Sequence, residues 1–300
     1  MTKAGRRTTS RARRLAQLAT KRARVLPSFL IIGAQRAGTT SLLATLRKHP
    51  DIVGPSHSEE FVLLGKEVHF FDKRYHEGIN WYRSFFPLAA RRELARRRGR
   101  DLVAGESTPY YLFHPDVPAR VAATIPDVRL IALLRNPVDR AYSHYQHRVR
   151  AGREKLSFGA ALEAEDTRLA GSDELIEVDR NYTRHHHHRA YFRRGLYAEQ
   201  LERWFDHFPR KRLLIVRAED YFSGPAEIHE EVLEFLGVRP WQFQKAAHKN
   251  NASYPPIEPA VRAKLEARYA APNARLERLL GRDFGWSARL ETRTAAGNAG

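Results

Sequence analysis

Short apolar runs of strand length recur along the chain, and each is followed by a segment with apolar positions at helical spacing. The runs Phe29–Ile32, Asp101–Gly105, Val128–Leu134 and Arg212–Arg217 fit strands that are buried on both faces. Strands that alternate with helices in this way form parallel sheets. The pattern therefore predicts an α/β fold, in which a parallel β-sheet is flanked by helices on both faces.

The segments between these runs have the period of amphipathic helices. In Gly195–His207, Leu196, Gln200, Leu201 and Trp204 share one face. Helices are also predicted over Thr39–Lys48, Val117–Thr124, Val138–Arg150, part of Phe158–Ala170, Pro225–Leu236 and, as one or two helices, Pro259–Leu280. Ligands of such sheets bind beyond the carboxyl ends of the strands, which is where Arg36 and Arg135 stand in the sequence.

The first strand leads into a phosphate-binding loop that differs from a nucleoside triphosphate loop. Gly33 and Gly38 keep the spacing of that motif, but Thr39 stands in place of its lysine and the cation lies inside the loop, at Arg36. Backbone N–H groups and the helix N-terminus can still bind a phosphate. The lysine that reaches the β- and γ-phosphates is missing. This P-loop-like strand, loop and helix therefore predict a phosphate ligand other than a triphosphate.

Composition limits the class of protein and its compartment. The chain has 300 residues with 42% hydrophobic residues and no cysteine, so it fits a globular protein without disulfides or thiolate chemistry. No apolar run reaches the length of a membrane span, and no secretory signal follows the basic N-terminus. We therefore predict a cytoplasmic protein with one domain over residues 27–289 and a frayed tail over 290–300.

The net charge of +18 is concentrated at the N-terminus, where residues 1–24 hold nine Lys or Arg and no acid. Residues 1–26 are predicted to form a largely disordered arm, with a frayed helix over Arg11–Arg24 and weak contact with anionic surfaces. A non-enzymatic, basic nucleic-acid-binding protein would account for this charge. No motif that reads RNA or DNA accompanies it, so no specific nucleic-acid partner is predicted.

Three sequence blocks resemble sulfotransferases that use 3′-phosphoadenosine 5′-phosphosulfate (PAPS). Gln35–Ser41 is similar to their 5′-phosphosulfate loop, in the heparan-sulfate type that usually has lysine at the position of Arg36. Glu67–Phe71, followed by Gly78–Tyr82, resembles the same branch, and Leu133–Ser143 resembles the 3′-phosphate site. The blocks occur in the same order as in that family. They therefore identify the chain as a member of the PAPS-dependent sulfotransferases.

The resemblance implies transfer of a sulfuryl group from PAPS to a hydroxyl or amine of a small-molecule or carbohydrate acceptor, which releases adenosine 3′,5′-bisphosphate. It assigns the catalytic base to Glu67 and the cation at the leaving group to Arg36. His69, two residues after Glu67, would orient the acceptor, share the proton or serve as a structural hydrogen-bonding residue. The implied donor-binding residues are Arg36, Ala37, Gly38, Thr39, Thr40, Ser41, Arg135, Ser143, Tyr197, Lys249, Asn250 and Asn251. No metal is required, because side chains can neutralise a single leaving phosphate.

Several assignments keep an alternative. Thr39 or Thr40 would also serve as a helix N-cap, and Tyr197 would fit the core. Ser107 stands where several relatives have a lysine that faces the acceptor, which weakens a highly sulfated glycosaminoglycan as acceptor. The arginine that should follow Asn251 is missing, so Lys249 is the substitute cation.

A kinase is the other enzyme class that the phosphate loop brings into consideration. A kinase with a degenerate phosphate loop is disfavoured by Thr39 and by the lack of a strand-end Asp for Mg²⁺.

The run His185–His188 suggests a metal site, but four adjacent histidines cannot face one ion. We interpret that segment as a polar loop with fortuitous metal affinity, and a place along the acceptor cleft stays open.

Overall fold

The computed structural model describes residues 14–56, 67–171, 186–243 and 254–286. In these ranges five parallel strands form one sheet in the order β2-β3-β1-β4-β5. They are β1 (Phe29–Gly33), β2 (Ile52–Val53), β3 (Val103–Ser107), β4 (Arg129–Leu134) and β5 (Leu213–Arg217). Helices surround the sheet, so the predicted α/β fold class is confirmed.

The helices lie between the strands and after β5, and the segments predicted to be helical each contain a helix. They are α1 (Thr39–Leu46), α2 (Phe70–Lys73), α3 (Ile79–Arg83), α4 (Ala89–Arg96), α5 (Val117–Thr124), α6 (Pro137–Arg150), α7 (Phe158–Glu163), α8 (Glu165–Leu169), α9 (Tyr197–Phe205), α10 (Ala218–Ser223), α11 (Pro225–Leu236) and α12 (Pro259–Leu280). Residues 14–19 and 186–189 are also helical. None of the helices in the described part of the chain combines the length and the apolar character needed to cross a bilayer.

The central strand β1 sets the position of the site, because β3 and β4 flank it in parallel. All five residues of β1 are buried. Phe29 pairs with Gly105 of β3 on one side and with Arg129 of β4 on the other. The carboxyl ends of the three strands therefore meet at one edge of the sheet, and their loops lie side by side there.

One predicted strand has different bounds in the structure, and one alternative left open by the sequence is resolved. The strand predicted over Asp101–Gly105 is Val103–Ser107, because its pairing with β1 continues to the pair Ile31 and Ser107. Glu106, beyond the predicted end, is therefore a buried strand residue. The segment Pro259–Leu280 is a single helix although Pro272 lies inside it.

The second half of the basic N-terminal segment packs against the domain. A guanidinium nitrogen of Arg14 donates a hydrogen bond of 2.6 Å to Ser84, and this guanidinium lies 4.5 Å from the centre of the Phe85 ring. Gln17 is buried and donates to Ser56 over 2.6 Å. These contacts cross the boundary that the sequence predicted at residue 26. Residues 1–13 of the predicted arm and the tail 290–300 lie outside the described residues.

Candidate active site

The phosphate loop between β1 and α1 presents an open helix N-terminus. Gly38 is the N-cap residue, with φ of 96°, and no side chain caps the helix. The alternative of a Thr39 or Thr40 cap is therefore wrong. Thr39 is buried, whereas the side chain of Thr40 is exposed. The first N–H groups of α1 remain available to an anion, which the helix dipole also favours.

The predicted phosphate-binding residues from β1 and β4 lie together. Arg36, with φ of 73°, donates from Nε to the Ser143 hydroxyl over 3.1 Å. Arg135, at the end of β4, donates from its guanidinium to the Arg36 carbonyl over 3.1 Å. Burial lowers the pKa of Arg36, and repulsion from Arg150 and Arg135 lowers it further. An anion bound here would relieve that repulsion.

Three other residues predicted to bind the sulfuryl donor contact the protein interior. Tyr197 is buried, and its hydroxyl donates to the Arg135 carbonyl over 2.8 Å. It therefore supports the backbone of Arg135 from the core side, in agreement with the alternative of a core tyrosine. Ala37 is also buried, and Ser41 accepts a hydrogen bond of 3.2 Å from the hydroxyl of Tyr221. Lys249, Asn250 and Asn251 lie outside the described residues.

Glu67 and His69, the predicted base and its neighbour, are in direct contact. The Nε2 atom of His69 lies 3.0 Å from Oε2 of Glu67, and its Nδ1 atom lies 2.7 Å from Oδ2 of Asp72. The Asp72 side chain is fully buried, whereas that of Glu67 is 30% exposed. The buried carboxylate therefore anchors the imidazole, and the other carboxylate is partly exposed to solvent. Asp72 was not predicted as a site residue.

The charge of His69 follows from these two carboxylates. Burial disfavours the imidazolium, but attraction to Asp72 and hydrogen bonds to both acids outweigh it and raise the pKa of His69 to about 9. Burial also acts against the Asp72 carboxylate, yet the contact with His69 lowers the pKa of Asp72. At neutral pH the segment therefore holds an imidazolium between two carboxylates. This arrangement keeps a carboxylate oxygen of Glu67 in a defined position.

Histidines and a lysine line the region next to His69. Residues 186–189 are helical, so the polar loop predicted for His186–His188 is wrong, and His185 lies outside the described residues. His186 stacks on Phe113, with ring centres 4.2 Å apart. His187 lies against His69, with ring centres 5.5 Å apart, and its Nε2 atom is 3.3 Å from Nζ of Lys73. Burial lowers the pKa values of both Lys73 and His187.

His69, Asp72 and His187 have possible metal-ligating atoms within 4.8 Å of one another. The Nζ atom of Lys73 lies beside His187 at the same point, and its ammonium charge would repel a divalent cation. The His69 nitrogens already contact two carboxylates. The expectation of a metal-independent enzyme stays a prediction.

Glu106 is a buried acid that the sequence analysis missed as a site residue. It accepts hydrogen bonds from the hydroxyls of Tyr82, Tyr111 and Thr108 over 2.8, 2.9 and 2.6 Å. Burial raises the pKa of Glu106 to about 7. The signal that could have identified Glu106 from the sequence is its position as an acidic residue at the end of an apolar strand.

The Glu106 network also supports the segment that carries the predicted base. The N–H of His69 donates to Thr108 over 3.4 Å, and the N–H of Phe70 donates to the Tyr111 hydroxyl over 3.0 Å. Both hydroxyls in turn donate to Glu106. The carboxylate on β3 therefore positions the backbone on which His69 stands.

Arg194 connects this region to the phosphate loop. Its guanidinium is buried, donates to the Gln35 side chain over 2.6 Å and donates to the His187 carbonyl over 2.6 Å. Its centre lies 4.7 Å from the middle of the Tyr110 ring. Burial lowers the pKa of Arg194 to about 10. The guanidinium of Arg194 thus links the phosphate loop, through Gln35, to the histidine-lined region, through His187.

Comparisons with known proteins show the family to which the chain belongs. The sulfotransferase domain family matches residues 26–254. The chain is 30% identical to mouse heparan sulfate glucosamine 3-O-sulfotransferase 3B1 over 87% of this chain, and it spans 65% of that relative's length. It is 33% identical to mouse bifunctional heparan sulfate N-deacetylase/N-sulfotransferase 3 over 86% of this chain and 30% of the relative.

A solved structure shows the same fold. The sulfotransferase from Alicyclobacillus acidocaldarius superimposes with a TM-score of 0.64 at 31% sequence identity, over 87% of this chain and 99% of that one. The family match covers most of the chain, including the phosphate loop, β3 and β4. The chain therefore belongs to the sulfotransferase family.

Proposed function

We propose that this chain transfers the sulfuryl group of PAPS to a hydroxyl or amine of a carbohydrate or glycoconjugate. The observation that carries the proposal is the contact of Arg36 with both Arg135 and Ser143 at the open N-terminus of α1. This arrangement offers cations, a hydroxyl and backbone N–H groups to a ligand with phosphates at its 5′ and 3′ positions. PAPS is such a ligand.

The side chains have separate roles in the proposed transfer. Glu67 takes the proton of the acceptor group as its oxygen or nitrogen attacks sulfur in line with the leaving phosphate. The imidazolium of His69, held by Asp72, keeps one carboxylate oxygen of Glu67 in place. Negative charge grows on the bridging oxygen as the S–O bond breaks, and the guanidinium of Arg36 and the N–H groups of α1 stabilise it.

The acceptor class rests on the relatives, which are named for heparan sulfate. We propose a carbohydrate acceptor for this chain on that ground. Ser107 is buried at the position where several relatives have a lysine, so we do not extend the proposal to a highly sulfated chain. A cytoplasmic location and the absence of a nucleic-acid partner stay predictions.

The proposal can be tested by a thermal-shift panel followed by a transfer assay. We expect adenosine 3′,5′-bisphosphate to raise the Tm in buffer with EDTA, because a ligand that binds only the folded state stabilises it. We then expect label to move from PAPS carrying labelled sulfate to members of a carbohydrate panel. Stabilisation by ATP with Mg²⁺ alone would favour a kinase, and no response to any nucleotide would favour a non-enzymatic basic protein.

A further inference from the structure

The helix α4 and the segment that leads toward β1 form a basic surface with exposed leucines. We call residues 21–25 and 88–98 the α4 face. Arg24 and Leu88 form an isolated antiparallel bridge, and the N–H of Val25 donates to the Pro87 carbonyl over 3.0 Å. These backbone contacts hold the two segments side by side. The exposed cations of the face are Arg22, Arg91, Arg92, Arg96, Arg97 and Arg98.

The charge of the α4 face is only partly balanced by the protein itself. Glu93 is the single acid in residues 88–98, and it pairs with Arg96 and Arg97 over 3.3 and 3.2 Å. Within the described part of the chain, the other exposed arginines of α4 and the turn after it have no carboxylate at ion-pair distance. The face therefore presents a net positive charge to solvent.

Large apolar side chains are exposed among these arginines. Leu94 is 51% exposed and Leu88 is 38% exposed. Arg91 stands three positions before Leu94 and the C-cap residue Arg97 three positions after it, so both lie next to Leu94 along one side of the helix. Removing such leucines from water is favourable, and the neighbouring cations restrict the surface that can cover them to an anionic one.

The α4 face lies at the edge of the sheet opposite to the proposed donor site. Residues 25–28 lead directly into the amino end of β1, and Arg100, just after α4, donates to Asp51, just before β2, over 2.5 Å. Arg36 and Arg135 instead follow the carboxyl ends of β1 and β4. Binding of PAPS therefore accounts for neither the cations nor the leucines of the α4 face.

We propose that the α4 face binds the surface of an anionic lipid bilayer. Its arginines pair with acidic headgroups, and Leu88 and Leu94 enter the boundary between the headgroups and the acyl chains. Residues 1–13, which lie outside the described residues, add five Lys or Arg and no acid directly before Arg14. Nucleic acid would also attract these cations, but its phosphates give no gain to exposed leucines. The proposal is independent of the proposed function, because it involves no substrate.

The contact can be tested at one position, because the chain contains no cysteine. Leu94→Cys introduces a single thiol that carries an environment-sensitive dye on the full chain. We expect the labelled protein to sediment with phosphatidylcholine vesicles that contain about 30% phosphatidylglycerol, and its emission to shift to shorter wavelengths. Pure phosphatidylcholine vesicles should cause neither change. Leu156→Cys is the matched control, since Leu156 is an exposed leucine in the loop between α6 and α7, and its dye should not respond.

Unlabelled variants measure the two kinds of contact. We expect Arg91→Gln to weaken binding to the anionic vesicles about fivefold, the contribution of one cation near such a surface. Leu94→Ser should weaken it about 3- to 10-fold, because half of the leucine side chain is available for burial. Arg153→Gln, at an exposed arginine of the loop between α6 and α7, should stay within about twofold of wild type. An unchanged Tm shows that each variant is folded.

Three results would overturn the inference. Wild-type protein that stays in solution with anionic vesicles would remove the bilayer as the partner. Sedimentation without a change in the dye at position 94 would show that residues outside the α4 face make the contact. Vesicle binding that is insensitive to Leu94→Ser, together with duplex DNA binding that Arg91→Gln weakens, would assign the face to nucleic acid. None of these results depends on sulfuryl transfer, so the proposed function fails or holds separately.

Discussion

At the scale of single residues, the site depends on charges held by specific partners. His69 holds one oxygen of Glu67, the proposed base, and His69 is held in turn by Asp72. Arg36 and Arg135 are kept close although both are cations, through the Ser143 hydroxyl and a backbone carbonyl. Each of these arrangements can be tested by changing one side chain.

We expect Glu67→Gln to lower turnover by roughly 10²- to 10⁴-fold, because the amide keeps the shape but cannot accept a proton. Affinity for adenosine 3′,5′-bisphosphate should stay near that of wild type, since our proposal places Glu67 at the acceptor and not at the nucleotide. Turnover is measured with labelled PAPS, and affinity by calorimetry. Glu77→Gln is the control, because Glu77 is a partly exposed acid with two long contacts, of 3.9 Å to Arg74 and 3.7 Å to His76. Retained turnover, or a variant that fails to bind the donor product, would make His69 the next candidate for the base.

Arg135→Ala should weaken binding of adenosine 3′,5′-bisphosphate by roughly 2–4 kcal/mol, the scale for a broken charge pair in a desolvated site. Adenosine 5′-phosphosulfate has no 3′-phosphate, so its affinity should change far less. Arg129→Ala, at the other end of β4, is the control for a general effect on the strand. Equal losses for both ligands in calorimetry would show that Arg135 does not serve the 3′-phosphate.

At the scale of the elements, close approach of β1 and β3 brings the loops of the site together. A Cβ atom at Gly105 would lie 2.3 Å from carbons of the Phe29 ring, so that ring occupies the space above the glycine. The next residue, Glu106, starts the hydroxyl network that supports His69. A shift of β3 away from β1 would therefore move the segment that carries the base.

We expect Gly105→Ala to lower the free energy of unfolding by about 1–3 kcal/mol through overpacking against Phe29. It should also lower turnover, because Glu106 moves with the strand. Gly159→Ala on α7 is the control, since the nearest atom to its Cβ would be 3.5 Å away and alanine is the better helix former. Urea unfolding measures both variants. Equal stabilities would show that β1 and β3 adapt to the extra methyl group.

At the scale of the whole molecule, the chain carries a net charge of +18, and its proposed ligands are anions. Such a charge attracts anionic ligands and repels itself, so the stability of the fold depends on pH through many groups. The buried pair of His69 and Asp72 contributes part of this pH dependence, and a variant at His69 can isolate that part.

The pKa of His69 rises from 6.5 to about 9 on folding, so the folded state binds the proton more tightly than the unfolded state. This corresponds to roughly 3 kcal/mol of stability, fully present below pH 6.5 and lost as the pH rises through about 9. We expect the unfolding free energy of wild type to fall more steeply over this range than that of His69→Gln. Denaturant unfolding at a series of pH values measures the difference. Parallel curves for the two proteins would contradict the assigned charge of His69.

The strands and the phosphate loop could be predicted from the sequence because they depend on neighbours in the chain. Four apolar residues before Gly33 suffice for a buried strand, and the spacing of Gly33, Arg36 and Gly38 suffices for a phosphate loop. The same local character allowed Glu67 and His69 to be placed in one short segment. The ends of β3 were misplaced because they depend on its pairing with β1.

Only the tertiary structure decided which side chains meet. Arg194 joins Gln35 across 159 positions of the chain, and Tyr197 bonds the carbonyl of Arg135 across 62. The sequence by itself determined the fold class and the phosphate loop, because local patterns encode backbone shape, and its resemblance to the sulfotransferases named the candidate base. The buried partners of His69 and the support from Glu106 arise from packing between distant segments, and no local pattern encodes those contacts.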